Sequence, residues 1–167
     1  AGSATQLAFT TQPGAGTGGS NLGTQPVVTV QDAGGNTVTG ATTAITLAIG
    51  TNAGSGTLSA TTNPLSATAG VATFAGVKID KAGTGYTLTA SASGLTGATS
   101  STFNVTVGAL DHFLVESTNG GTIATQTAGT AFNIKITAQD PGDNTVTSFT
   151  STASLTSSGT LTGSPVT

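Results

Sequence analysis

The side chains able to move a proton, hold a metal ion or attack a carbonyl are few in this chain: one histidine, six acids and three lysines, with no arginine and no cysteine. His112 follows Asp111, but a Ser-His-Asp relay needs a nucleophile held within reach of the imidazole. No Gly-x-Ser-x-Gly turn is present to hold one. A lone histidine builds no histidine cluster, and without cysteine there is neither a thiolate site nor a disulfide. "DAGGN" (Asp32–Asn36) and "DPGDN" (Asp140–Asn144) have the outline of a calcium loop. Calcium takes about six to eight oxygens, and the EF-hand loop closes on a distal bidentate glutamate. Neither stretch has that glutamate, so both read as turns. Asp111 and Glu116 make a further, weak carboxylate pair. A lysine–asparagine cross-link needs a buried lysine beside an acid, and the strand pattern turns Lys78 and Lys135 outward. The glycine-rich "GAGTGG" (Gly14–Gly19) lacks the strand–helix unit of a phosphate loop and reads as a flexible loop. The expectation is a non-enzyme without metal or cofactor.

Asp32 and Asp140 occupy matching places in a repeat. "VQDAGGNTVT" (Val30–Thr39) and "AQDPGDNTVT" (Ala138–Thr147) lie 108 positions apart. The match extends outward: "QLAFTT" (Gln6–Thr11) to "HFLVES" (His112–Ser117), and "PVVTVQD" (Pro26–Asp32) to "IKITAQD" (Ile134–Asp140). "AITL" (Ala44–Leu47) matches "ASL" (Ala153–Leu155), and "GTLS" (Gly56–Ser59) matches "GTLT" (Gly159–Thr162). This spacing is too long for a solenoid repeat and suits a β-sandwich of about 100 residues. Within the decamer, Asp32 can bond forward to the backbone, the glycines tolerate positive φ, and Asn36 tolerates the left-handed region. Asp32, Asn36, Asp140 and Asn144 are therefore structural turn residues.

Alternation of apolar and polar residues gives the strands. Leu7 and Phe9 share a face, as do Val28 and Val30, with Thr29 and Gln31 opposite. Ile134, Ile136 and Ala138 oppose Asn133, Lys135, Thr137 and Gln139. Ile45, Leu47 and Ile49 repeat the pattern, as do Tyr86, Leu88, Ala90 and Ala92, and Phe103, Val105 and Val107. In "GVATFAGVKI" (Gly70–Ile79), Phe74 and Val77 are out of phase, which predicts a bulge near Ala75–Gly76. No capped helical period is present. Thr, at 38 residues, and Val suit a pleated, half-buried surface, and 35% hydrophobic with 5% charged residues argues against disorder.

These stretches resemble bacterial immunoglobulin-like (Big-type) tandem repeats of large secreted and cell-surface proteins. The carriers are "FTTQP" (Phe9–Pro13), "PVVTVQDAGGNTVT" (Pro26–Thr39) and "GVATFAGVKIDKAGTGYTLTA" (Gly70–Ala90). The resemblance implies an all-β, immunoglobulin-like antiparallel sandwich, with Tyr86 as its tyrosine corner, its hydroxyl bonded back to nearby backbone. It implies one complete copy over residues 1–108 and a partial one, first strands only, over 109–167. The partial copy has no counterpart of the Phe74, Tyr86 and Phe103 strands, so an apolar face and strand edges would be bare. Either the sequence belongs to a longer array, or another chain supplies the missing strands. "VGALD" (Val107–Asp111) is the linker, short enough for limited swing.

Scattered lysines and a net charge of −3 exclude a nucleic-acid patch, and no apolar run approaches the ~20 residues of a membrane span. No signal peptide is visible at Ala1, as in a mature or excised segment. Scarce tryptic sites suit an extracellular or cell-surface location. The expected function is a structural module of a stalk, surface layer or filament, associating with itself or with neighbouring immunoglobulin-like domains. The alternative is an adhesin or carbohydrate-binding module that contacts glycans. Phe149, whose counterpart is the small Ala41, is its candidate ligand contact. Asn104, in the sequon Asn104-Val105-Thr106, is a candidate glycosylation site.

Overall fold

The computed structural model describes residues 1–156, and among them every regular element is a strand. In chain order these are β1 (Gln6–Thr11), β2 (Gly16–Thr17), β3 (Val27–Gln31), β4 (Ala44–Ile49), β5 (Leu58–Ser59), β6 (Leu65–Ser66) and β7 (Val71–Thr73). There follow β8 (Lys78–Ile79), β9 (Gly83–Tyr86), β10 (Leu88–Ser91), β11 (Ala98–Thr99), β12 (Phe103–Thr106), β13 (His112–Ser117) and β14 (Ile134–Gln139). The "GTLT" match at Gly159–Thr162 lies outside the described residues.

The strands form several antiparallel sheets, an arrangement consistent with a β-sandwich. One has the order β1-β3-β7, another β11-β10-β4-β6, and a third β2-β12-β9, in which β2 runs parallel to β12. Between the layers lie Leu7, Val28, Val30, Ile45, Leu47, Ala72, Phe74, Val77, Ile79, Tyr86, Leu88, Phe103 and Val105, all buried. These are the inward positions of the alternating runs, and removing their apolar surface from water drives the packing. At one edge, Thr96 bonds both Leu7 N–H and Thr5 O, 2.9 Å each, so β1 does not end the sheet with bare backbone.

The structure departs from alternation in five places, one of them Gln139, which is buried rather than wet. No single bulged strand spans residues 70–79. Instead β7 bonds β3 and β8 bonds β5, with Gly76 at φ 65° between them. Phe74 and Val77 both reach the core because the strand is broken. The backbone freed there is taken by Gln25, which accepts from Val77 N (2.7 Å) and donates to Val77 O (3.1 Å). The run from Tyr86 is likewise interrupted at Thr87, which bonds Gly50 and Thr51. Thr29 is buried rather than wet, and its hydroxyl has no hydrogen-bond partner. It is flanked in the sheet by Ala8 on β1 and Val71 on β7. Val107 lies past the end of β12 and is exposed.

The pair β13–β14 repeats the first four register pairs of β1–β3. His112 pairs with Gln139 and Phe113 with Ala138, as Gln6 pairs with Gln31 and Leu7 with Val30. Packing differs sharply: Leu7 is 4% exposed, whereas its counterpart Phe113 is 40% exposed. Leu114 and Val115 are open to a similar degree.

Candidate functional site

The turn after β3 is built around one carboxylate. Asp32 Oδ1 accepts from Gly34 N (3.0 Å), Asn36 N (2.9 Å) and Asn36 Nδ2 (3.1 Å). Asp32 Oδ2 accepts from Gly2 N at 2.7 Å, and so ties the start of the chain to the turn. The N–H groups of Gly2 and Asn36 stabilise the charged form and hold the Asp32 carboxyl down at about 2. Its oxygens are occupied by donors rather than offered to a cation.

The turn after β14 repeats this bond for bond. Asp140 Oδ1 accepts from Gly142 N, Asn144 N and Asn144 Nδ2, each at 2.9 Å, and Oδ2 accepts from Gly108 N at 2.7 Å. Burial pushes the Asp140 carboxyl up, but the N–H groups of Gly108, Asn144 and Gly142 outweigh it and leave it below its ordinary value.

The second turn also docks. Asn144 Nδ2 donates to Asp80 O (2.7 Å), Asn144 Oδ1 accepts from Ala82 N (2.9 Å), and Lys81 Nζ donates to Gly142 O (2.8 Å). Gly18 and Gly19 line the same contact. A Cβ on Gly18 would stand 2.8 Å from Asp140 Oδ2, and one on Gly19 would stand 2.6 Å from the Pro141 backbone. The stretch Gly14–Gly19 is thus no free loop. Gly16 and Thr17 form β2, and Gly18–Gly19 is the floor on which the Asp140 turn sits.

Tyr86 supports the neighbouring Asp80–Ala82 segment from within. It is fully buried, stacks on Phe103 with ring centroids 6.1 Å apart, donates its hydroxyl to Lys81 O (2.9 Å) and accepts from Gly54 N (3.0 Å). Burial raises the phenol above its ordinary value.

The remaining sequence candidates lie apart. Asn104 is exposed on β12, and its Oδ1 accepts from Gly85 N at 3.0 Å. Phe149 is half-buried and meets Phe113 edge-to-face, centroids 5.2 Å apart. Asp111 and Glu116 do not converge: Asp111 pairs with His112 (3.0 Å) and Glu116 with Lys135 (3.5 Å). His112 also faces Asp143 at 3.3 Å. The hydrogen bond that the His112 ring donates to Asp111 raises the imidazole above its ordinary value. Among the described residues no three metal-ligating side chains gather, and no helix is long and apolar enough to cross a membrane. A surface depression of about 320 Å³ is lined by Asn21, Ser59, Ala60, Thr61, Gly76 and Lys78, without an aromatic ring.

Sequence reasoning missed Lys81, Gly18 and Gly19 as part of the surface that receives the Asp140–Asn144 turn. Their one visible signal was a cluster of glycines without a phosphate-binding context. Compared with known proteins, the chain matches no family model and no curated sequence.

Proposed function

We propose that the chain is a non-enzymatic structural module, built from tandem immunoglobulin-like units, of an extracellular or cell-surface assembly such as a stalk, surface layer or filament. The observation that carries this reading is the docked turn. Asn144 and Gly142 engage Asp80, Lys81 and Ala82, while Asp140 holds the linker at Gly108. Three bonds across the contact and one to the linker make a joint that resists bending, as an array under tension requires.

The immunoglobulin-like assignment is supported by the strand order, by the parallel pairing of β2 with β12, and by Tyr86 bonding back to Lys81 O. The tandem assignment is supported by the shared register of β1–β3 and β13–β14. The open flanks of Phe113, Leu114 and Val115 suit a face covered in the assembly by further strands. The carbohydrate-binding alternative has less behind it, since the surface depression offers no stacking ring.

The test is backbone relaxation by NMR. Residues 7–105 and 112–147 should tumble as one body, and Asn144→Ala should separate their correlation times. Independent tumbling of the two parts in the unaltered chain would overturn the joint.

A further inference from the structure

The Asp32 turn carries the same docking chemistry as the Asp140 turn, but with nothing docked. Both hold the residue that leads into their hairpin by an identical bond, Gly2 N to Asp32 Oδ2 and Gly108 N to Asp140 Oδ2, 2.7 Å each. Both close on themselves through the same bonds to Gly34 and Asn36, or to Gly142 and Asn144. In the second turn three groups go on to bind outward: the free Nδ2 hydrogen and Oδ1 of Asn144, and the Gly142 carbonyl. Their counterparts in the first turn are one Nδ2 hydrogen and Oδ1 of Asn36, and the Gly34 carbonyl. Asn36 and Gly34 are exposed, whereas Gly142 is buried and Asn144 half-buried.

The residue choice at position 34 points the same way. Gly142 is a glycine beneath which the Asp80 carbonyl lies in contact. Gly34 has the same absence of a side chain, yet the atoms nearest a Cβ there are only its own turn's Asn36 Nδ2 (3.1 Å) and Asp32 Oδ1 (3.4 Å). The surface is shaped for a neighbour's carbonyl.

We infer that the Asp32–Asn36 turn is a docking face for a further copy of the residue 1–106 unit placed ahead of Ala1, whose Gly18–Gly19 floor and Asp80–Lys81–Ala82 segment would receive Asn36 and Gly34. The occupant follows from the contact already made once. The groups that satisfy the second turn are the Asp80 carbonyl and Ala82 N–H, which meet Asn144, and the Lys81 ammonium, which meets the Gly142 carbonyl; Asn36 and the Gly34 carbonyl offer the complementary set. A second chain cannot easily supply them from its own Asp80–Ala82, because that segment is filled by its own Asn144. The partner is therefore a unit joined in line. Gly2 and Gly108 are 106 positions apart, so a copy whose Thr106 is joined to Ala1 places the chain as the natural linker does. This inference rests on the tandem reading above.

The experiment extends the full chain at its N-terminus with residues 1–106 and follows amide hydrogen exchange by NMR. Ala82 of the added copy should be protected roughly tenfold or more over the same chain carrying Asn36→Ala, as expected when a surface amide gains a stable partner. Lys81→Ala in the added copy alone, which leaves the Asp32 turn untouched, should also lower that protection. Ala82 of the original copy, covered by Asn144, is the internal reference. If it is protected while Ala82 of the added copy exchanges as fast as with Asn36→Ala in place, this inference falls and the tandem reading stands. If neither is protected, both fall.

Discussion

Tyr86 and Asn144 hold three consecutive residues between them. Tyr86 donates to Lys81 O at 2.9 Å, while Asn144 takes the Asp80 carbonyl at 2.7 Å and the Ala82 N–H at 2.9 Å. A buried side chain of the core and a half-buried side chain of the second turn thus meet through one short stretch of backbone. Displacing that stretch strains both.

Tyr86→Phe should therefore act twice. It deprives Lys81 O and Gly54 N of a partner in a part-buried setting, at a cost of about 1 kcal/mol. Urea unfolding should show that loss, and exchange of the Ala82 amide should quicken by more than the change in global stability explains.

Gly142→Ala should unseat the joint, whereas Gly34→Ala should be mild. Neither position has the positive φ that would itself forbid alanine, so the difference lies in what the Cβ meets. At Gly142 it meets the Asp80 carbonyl, at a cost of about 1–3 kcal/mol for overpacking against backbone. At Gly34 the nearest atom is the Asn36 amide nitrogen, 3.1 Å away. Thermal unfolding of the two variants beside the unaltered chain checks the order.

Acid should loosen both turns. The folded Asp32 carboxyl sits at about 2, below its ordinary 3.8, so its contribution is complete above the unfolded value and is lost as pH falls through the folded one. Asp140 shifts in the same direction. With His112→Gln in place to remove that ring's own titration, urea midpoints should hold steady from neutral pH to about 5 and fall below about 4. Asp32→Asn should reduce the slope in that acid window while lowering stability at neutral pH.

His112 behaves in the opposite sense. Its folded pKa lies above 6.5 because Asp111, and at longer range Asp143, favour the imidazolium. The stabilisation is present below 6.5 and disappears as pH rises through the folded value. An NMR titration of the ring should give a midpoint above 6.5, and Asp111→Asn should bring it down further than Asp143→Asn does.

Sequence alone determined what depends on near neighbours. Alternation placed Leu7, Val28, Val30, Ile45 and Leu47 inward because side chains on a strand point to opposite faces in turn, whatever surrounds them. The turn at Asp32 was legible because its bonds span two to four residues. Tertiary structure decided everything that joins distant segments. Asn144 meets Asp80 across 64 positions and Gly142 meets Lys81 across 61, and no local pattern encodes such a meeting. The same holds for Gln25, which fills the break at Val77 from 52 positions away, and for Phe149, whose ring turns onto Phe113. Turn and strand follow from the backbone's own hydrogen-bonding needs, whereas a docking contact exists only once two separately formed surfaces face each other.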